Sequence, residues 1–177
     1  MDKICVLRLG HRIFRDSRLS THVLLVARAF GAEKAYYTGD KDTNLEKRIC
    51  KINIEWGWDF VLEYIKSEKN FILNWQNNGG DVIHLTMYGL SVKDTIENIK
   101  TSKKPKLLIV GGAKVSGDIF SKADWNISIT NQPHSEVSAL SIFLHEYFSG
   151  KELDLVFSNP KVKIIPQKNT KKLVTKK

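Results

Sequence analysis

The feature that most constrains this chain is a steady alternation of apolar, strand-like runs with amphipathic helical patterns. The runs are Ile4–Leu9, Ala35–Thr38, Phe60–Ile65, Val82–Leu85, Leu107–Val110, Trp125–Ile129 and Val162–Ile165. Strands that alternate with helices build a mostly parallel sheet with helices on both faces. The pattern therefore predicts an α/β fold. A length of 177 residues without a repeat or a linker predicts one domain.

The helical segments between these runs carry their own start and stop signals. The predicted helices are one capped by Ser20 or Thr21 and ended by Gly31, one capped by Ser91, one from near Ser135 to Gly150, and weaker ones over Asn44–Trp56 and Glu68–Asn77. The apolar faces of the first and last of them exceed what one small sheet needs to cover. We take Val23, Ala27, Phe30, Leu140, Leu144 and Tyr147 as a predicted homodimer surface.

Several classes of protein are excluded or disfavoured by composition. The longest apolar stretch, Val23–Phe30, is broken by Arg28 well before the roughly 18 residues that a membrane span requires. The first residues show no export signal. Cys5 and Cys50 form no metal-binding motif and fit reduced thiols. We therefore expect a cytoplasmic protein that uses neither a membrane nor a metal.

The net charge of +9 is distributed unevenly along the chain. Seven lysines and no acidic residue lie in residues 161–177, so that the rest of the chain is close to neutral. Residues 168–177 are predicted to form a basic C-terminal tail beyond a domain of residues 1–167. Such a tail is either a disordered, solvated end or an arm that follows phosphates.

The arginines are also clustered. Five of the six lie within 21 residues, namely Arg8, Arg12, Arg15, Arg18 and Arg28. Arginine binds phosphate through two parallel hydrogen bonds, so this cluster indicates a phosphate-bearing partner. The loop after the first strand has no G-x-G-x-x-G motif, which argues against an ordinary dinucleotide site.

Two further loops follow predicted strands, where parallel sheets bind their ligands. In Gly111–Val115 a glycine pair lets the backbone approach a ligand, although such a pair is also common in plain turns. Thr130–Glu136 combines two amide side chains, a proline and a helix N-terminus. That combination suits a polar heterocycle with a charged tail, or a simple capped loop.

These residues carry a specific resemblance to a known family. It rests on the segments RLGHR at 8–12, RD at 15–16, THV at 21–23, ARAFGA at 27–32, HLTMYG at 84–89, IVG at 109–111 and NQPHSEV at 131–137. They resemble the archaeal tRNA 2'-O-methyltransferases that modify the cytidine at tRNA position 56, which belong to the knotted SPOUT superfamily. The resemblance runs from about residue 3 to 167. It implies S-adenosylmethionine as cofactor, tRNA as partner, a homodimer and a deep C-terminal trefoil knot.

Carried over by position, the resemblance assigns cofactor binding to three strand-end loops. Their residues are Leu85, Gly111, Gly112, Ala113, Lys114, Val115, Ile129, Thr130, Asn131, Gln132, Pro133, His134, Ser135 and Glu136. The family's middle loop commonly reads Gly-Ala-Glu-Lys-Val, whereas this chain has no acidic side chain at Ala113. Binding through backbone atoms would survive that difference.

The resemblance also implies a catalytic arginine in the first motif. The candidates are Arg12, ranked first for its place directly after the first strand, then Arg18 and Arg15. Arginine stays protonated in proteins, so it is better suited to orient the ribose or stabilise a developing alkoxide than to act as a base.

The group that takes the 2'-hydroxyl proton is left open by the sequence. Histidine is the side chain type best suited to base chemistry near neutral pH, so His22 and His134 are further candidates, although a histidine in a first helical turn is often structural. His134 more simply shapes the cofactor loop. Asp16 has an equally plain interpretation as the partner of a nearby arginine, and Glu136 as a residue that favours a helix N-terminus.

Two other functions remain open from the residues alone. A non-catalytic RNA-binding protein would use the basic segments without a cofactor, and a nucleotide-binding regulatory domain would lack the usual glycine motif. Trp56, Trp58, Tyr36 and Tyr37 suit either a hydrophobic core or stacking on unpaired bases.

Overall fold

The computed structural model describes residues 3–112 and 115–176. The main sheet contains β1 (Ile4–His11), β2 (Lys34–Gly39), β3 (Val61–Tyr64), β4 (Asp81–Ser91), β5 (Lys106–Val110) and β6 (Trp125–Ser128). The helices are α1 (Ser17–Ala29), α2 (Thr43–Trp56), α3 (Glu68–Asn77), α4 (Val92–Thr101), α5 (Gly117–Lys122) and α6 (Glu136–Phe148). A 3-10 turn at Lys151–Asp154 and a hairpin of β7 (Val162–Ile165) and β8 (Lys172–Thr175) follow.

The main sheet is parallel throughout, in the order β3-β2-β1-β5-β4-β6. The chain lays β2 and β3 on one side of β1 and the remaining strands on the other. The strand order therefore changes direction next to β1, and parallel sheets bind ligands at the carboxyl ends of strands around such a point. The predicted α/β architecture is confirmed.

Helices cover both faces of the sheet, as the alternation predicts. One core joins Ile4 and Val6 of β1 to the apolar sides of α1, α2, α4 and α6. The opposite core joins Cys5 and Leu7 of β1 to α3 and α5. Adjacent residues of a strand point to opposite faces, so an almost unbroken apolar run serves both layers.

Strand β4 is interrupted near its carboxyl end. Leu85 and Leu90 both pair with Ile127 of β6, so residues 86–89 leave the regular register. We call this segment the β4 excursion. Gly89 lies against the β6 backbone, where an added Cβ would sit 2.4 Å from the Asn126 carbonyl carbon. A glycine is therefore needed for β4 to rejoin β6 after this excursion.

We expect Gly89→Ala to lower the free energy of unfolding by about 3 kcal/mol, because the methyl group meets rigid backbone rather than a flexible side chain. Urea denaturation measures the change. Gly117→Ala is the matched control, since a Cβ there meets nothing within 4 Å, and it should shift the value by less than about 0.5 kcal/mol. Equal stabilities of the two variants would contradict this account of the excursion.

The start of α1 differs from the prediction. The helix begins at Ser17 with Asp16 at the N-cap position, whereas Ser20 and Thr21 are buried inside it. Ser20 and Thr21 carry the hydroxyls of good caps, but their side chains bond elsewhere: Thr21 Oγ1 donates to the Ser17 carbonyl over 2.7 Å. The other predicted helices are present. Ser135 caps α6 by accepting from the Val137 N–H, whereas Ser91 stands at the N-cap position of α4 without a side-chain cap bond.

The lysine-rich end contains structure that the sequence did not predict. Residues 172–175 are not a disordered end but strand β8, which pairs antiparallel with β7. Backbone bonds anchor the segment before the hairpin to the end of α2 and to the residues after it, from Trp58 N to Ser158 O (3.0 Å) and from Lys161 N to Glu55 O (2.9 Å). Backbone pairing needs no apolar burial, and the β8 side chains stay exposed. The domain boundary at residue 167 stays a prediction.

The apolar faces of α1 and α6 are buried within a single protomer. Val23, Ala27, Leu140, Leu144 and Tyr147 are all buried in the first core, where α1 packs against α6. The expectation that these residues form a homodimer surface is wrong for that reason. In the described part of the chain, no helix has the length and apolar character to span a membrane.

Candidate functional site

A cavity of about 640 Å³ opens at the carboxyl ends of β4, β5 and β6. This volume lies within the range of small-molecule sites, which is roughly 300–1,000 Å³. Its walls come from the β4 excursion, from the loop after β5 and from the loop that leads into α6. These are the three loops that the sequence pointed to.

Most of the predicted cofactor residues line this cavity. They are Leu85, Gly111, Gly112, Val115, Ile129, Pro133, His134, Ser135 and Glu136. Thr130, Asn131 and Gln132 are exposed beside it and are not part of the lining. Ala113 and Lys114 lie outside the described residues.

Asn131 holds two walls of the cavity together. Its Nδ2 donates to the Met87 carbonyl over 2.6 Å and to Ser128 Oγ over 3.3 Å. The loop before α6 is thereby tied to the β4 excursion. Asn131 therefore shapes the cavity from behind rather than facing into it.

Eight lining residues were missed as site residues by the sequence analysis, namely His84, Thr86, Met87, Tyr88, Val110, Phe120, Ile127 and Ala139. His84 is buried with its Nδ1 2.9 Å from Asn126 Oδ1, and its ring packs edge-on against Phe120. Burial lowers the pKa of His84, so its ring is neutral at neutral pH and donates from Nδ1 to the amide oxygen. The 84–89 motif was the available signal for His84, Thr86, Met87 and Tyr88.

Arg8 is a further residue that the sequence analysis did not assign to the cavity. It pairs with Val110 in the sheet and is buried, and its Nη1 donates to the Gly111 carbonyl over 2.5 Å. Burial lowers the pKa of Arg8, while the carboxylates of Glu136 and Asp16 act in the opposite direction. A charged guanidinium therefore lies directly behind the glycine loop.

The predicted catalytic residues lie in and beside an exposed turn that precedes α1. Arg12 donates to both carboxylate oxygens of Asp16, from Nε over 2.5 Å and from Nη2 over 3.1 Å. That bond raises the pKa of Arg12 and lowers the pKa of Asp16. The interpretation of Asp16 as an arginine partner is confirmed.

Arg15, Arg18 and His22 are exposed to solvent. Like Arg12, they do not belong to the cavity lining as the described residues define it. The structure thus brings the predicted cofactor loops together but leaves the predicted catalytic residues outside them.

Three of the four aromatic residues that the sequence singled out pack against other side chains. Tyr37 is buried, and Tyr36 packs on Phe71. Trp58 packs on Phe157 of the C-terminal segment with 4.7 Å between ring centroids. These three residues support packing. Phe14 is fully exposed in the arginine-rich turn, residues 12–16, and is therefore the better candidate for stacking on a base.

Comparison with known proteins decides the family. Residues 56–174 match the family described as tRNA ribose 2'-O-methyltransferase, aTrm56. The tRNA (cytidine(56)-2'-O)-methyltransferase of Methanobrevibacter smithii is 47% identical over 166 residues, which cover 94% of this chain and 92% of that protein. The enzyme of the same name from Hyperthermus butylicus is 47% identical over 176 residues, covering 99% and 94%. The chain belongs to the aTrm56 family.

Membership confirms the resemblance and the predicted activity, which is 2'-O-methylation of tRNA ribose. The non-catalytic and regulatory alternatives are not supported. The family match also runs through residue 174, beyond the point at which the sequence resemblance ended.

Solved structures place the aTrm56 chain in the predicted fold class. An A. aeolicus TrmH/SpoU tRNA modifying enzyme superposes with a TM-score of 0.65 at 18% identity, covering 87% of this chain and 78% of that one. The SpoU methyltransferase AviRb from Streptomyces viridochromogenes, solved with AdoMet, superposes with a TM-score of 0.61 at 14% identity, covering 85% and 58%. The SPOUT-type fold is confirmed, and the trefoil knot is consistent with it.

Proposed function

We propose that this protein methylates the ribose 2'-oxygen of the cytidine at position 56 of tRNA, with S-adenosylmethionine bound in the cavity at the ends of β4, β5 and β6. The observation that carries the proposal is that nine residues predicted to bind the cofactor line one cavity. The names of the archaeal relatives support the nucleotide.

The lining fits the chemistry of the cofactor. Leu85, Ile127 and Ile129 offer an apolar surface for a flat heterocycle. Gly111 and Gly112 offer backbone groups at close range, and Glu136 offers a carboxylate for an ammonium group. When bound, the cofactor supplies a methyl group on a sulfonium. We found no group of three or more metal-ligating side chains in the described residues.

Methyl transfer to a hydroxyl is an in-line displacement, so holding the ribose in position supplies much of the rate enhancement. The exposed arginines of the turn before α1 and of the first turn of α1 suit that task. Arg15 and Arg18 present guanidinium groups to solvent, where they can bind the phosphates beside the target ribose. Their charge also stabilises an oxygen that becomes more negative as its proton leaves.

His134 is better placed than His22 to accept that proton. Its Nδ1 lies 3.1 Å from the Ser135 carbonyl oxygen, which can only accept a hydrogen bond. In the neutral ring Nδ1 therefore carries the proton, and Nε2 keeps a lone pair for the substrate. His134 lines the cavity, whereas His22 does not.

A homodimer would bring the two parts of the site together. Arg12, Arg15, Arg18 and His22 lie off the cavity of their own chain, yet the reaction needs ribose and cofactor in contact. A two-fold partner that places its arginine-rich turn over this cavity resolves the discrepancy. Sedimentation should show a dimer. A monomer of about 20 kDa with full activity would refute this arrangement.

The proposed reaction is tested by mass spectrometry of a tRNA transcript incubated with protein and labelled S-adenosylmethionine. One methyl group on the ribose of cytidine 56 is expected. A transcript with deoxycytidine at that position is the control and should gain none. Methylation at another nucleotide, or of a base, would overturn the proposal.

The exposed lysines of the C-terminal segment should contribute to tRNA affinity but not to the chemical step. Replacing Lys168, Lys171 and Lys176 by glutamine should reduce the slope of log K against log salt by about 0.7–0.9 for each phosphate that these lysines neutralise. The rate at saturating tRNA should stay unchanged. Filter binding at several salt concentrations measures the slope.

The control is a second triple variant with Lys66, Lys93 and Lys103 replaced by glutamine, which removes the same charge from exposed positions outside the segment. Equal slopes for the two triple variants would show that the segment binds no phosphate of its own.

A further inference from the structure

A buried chain of polar side chains runs from Asp42, next to β2, to the cavity. Asp42 Oδ2 lies 3.2 Å from His11 Nε2, and His11 Nδ1 lies 2.9 Å from Ser20 Oγ. Arg8 Nε donates to Ser20 Oγ over 3.4 Å, and Arg8 Nη1 donates to the Gly111 carbonyl. His11, Ser20 and Arg8 are at most 1% exposed, and Asp42 is 6% exposed.

With a single proton on the His11 ring, the hydrogen bonds of this chain have one self-consistent direction. The Arg8 guanidinium can only donate, and the ionised carboxylate of Asp42 can only accept. His11 then donates from Nε2 to Asp42, and its Nδ1 accepts from Ser20. The Ser20 hydroxyl donates to His11 while it accepts from Arg8, so each side chain fixes the orientation of the next.

Asp42 anchors the chain at its far end. Its Oδ1 caps α2 by accepting from the N–H groups of Asn44 and Leu45. Burial raises the pKa of Asp42, but the hydrogen bonds from Leu45, His11 and Asn44 lower it by more than burial raises it. The net pKa is therefore lowered, and the carboxylate stays charged. The end of the chain is therefore held by a helix terminus rather than by solvent.

The other end determines how the glycine loop faces the cavity. A trans peptide group is planar, and its C=O and N–H point in opposite directions. Residues 3–112 and 115–176 contain no cis bond. Because Arg8 holds the Gly111 oxygen on the protein side, the N–H of Gly112 in the same peptide points away from Arg8. Both glycines line the cavity, so this N–H is presented to its contents.

We propose that Arg8 is a positioning residue for methyl transfer, which aims the Gly112 N–H at a hydrogen-bond acceptor of the cofactor, and that Ser20, His11 and Asp42 hold Arg8 in place. The inference rests on the proposed function, because it takes S-adenosylmethionine as the occupant of the cavity. Arg8 and His11 belong to the segment RLGHR that carries the family resemblance. The proposal gives both residues a physical role, which the predicted phosphate binding and the catalytic candidates did not.

The test is a double-mutant cycle read by calorimetry of S-adenosylmethionine binding without tRNA. Arg8→Lys keeps the charge but loses the planar fork, and should raise Kd about thirtyfold. Ser20→Ala removes one link and should raise Kd about fivefold. If Ser20 acts through Arg8, the double variant should bind no more weakly than Arg8→Lys alone.

A structural role alone would not give that result. Thr95→Val removes a comparable buried hydroxyl in α4, where Thr95 Oγ1 donates to the Ser91 carbonyl over 2.8 Å. It should lower the melting temperature about as much as Ser20→Ala while leaving Kd unchanged. Equal Kd values for Ser20→Ala and the parent, or additive effects in the cycle, would overturn the proposal.

Two further outcomes keep the test decisive. If Arg8→Lys does not fold, the cycle is run with His11→Asn in its place. This variant keeps an acceptor near Ser20 but removes the hydrogen bond to Asp42. The same non-additivity with Ser20→Ala is expected. If the parent protein binds no S-adenosylmethionine, the proposed function fails, which is distinguishable from a parent that binds while the variants match it.

Discussion

Gly112→Val is expected to weaken S-adenosylmethionine binding by about two orders of magnitude while the protein still folds. A Cβ at Gly112 would lie 3.7 and 3.8 Å from the two terminal nitrogens of Arg8, which is ordinary van der Waals distance. The two methyl groups of valine extend further. They must press on the buried guanidinium or enter the cavity, and both displace the ligand.

Alanine is the matched control at this position. Gly112→Ala adds the Cβ that the structure has room for, so its Kd should rise less than about threefold. Pro133→Gly tests the opposite wall, where loss of the fixed proline should also weaken binding. Calorimetry gives the affinities and thermal unfolding reports the fold. Unchanged dissociation constants in the valine and glycine variants would place the cofactor elsewhere.

The second large effect is expected at the exposed arginines that precede and begin α1. Arg15→Lys and Arg18→Lys should each slow single-turnover methylation of a tRNA transcript by at least about tenfold, because lysine retains the charge but cannot make two parallel bonds to one phosphate. Both side chains are exposed.

The structure changes the order of the arginines. Arg12 was ranked first among the catalytic candidates because it directly follows the first strand. In the structure, however, its guanidinium already binds both carboxylate oxygens of Asp16. We therefore expect Arg12→Lys to have the smallest effect of the three, and Asp16→Asn to leave the rate at or above that of the parent. If all three lysine variants match the parent in rate and only tRNA binding falls, the turn serves to dock RNA, and His134 becomes the main catalytic candidate.

Much of the fold followed from local pattern. The runs that predicted β1 to β6 lie within the observed strands or differ at their ends by only one or a few residues, since each is an apolar run bounded by turns. Helix α3 spans Glu68–Asn77 as predicted. The start of α1 was misplaced because two hydroxyls that resemble caps, at Ser20 and Thr21, bond inside the structure instead.

The candidate site was also predicted only in part from the sequence. The cofactor loops were recognised because a glycine pair and the segment before α6 have distinct composition, and nine of their residues line the cavity. His84 was missed because it reads as an ordinary strand residue, and Phe120 was missed because it lies in α5, a helix that the sequence did not predict. Strand β7 was predicted at Val162–Ile165, but its partner β8 was missed because a lysine-rich segment with few apolar residues is also typical of a solvated end.

The sequence by itself determined the α/β class, the approximate positions of the strands, the family and the loops that bear the chemistry, because these depend on residues close together in the chain. Only the tertiary structure decided which arginine stands behind the cofactor loop and where the apolar faces of α1 and α6 are buried. Arg8 and Gly111 are 103 positions apart. They meet because β1 and β5 pair as neighbours, and strand order depends on the packing of both sheet faces, which no local pattern records.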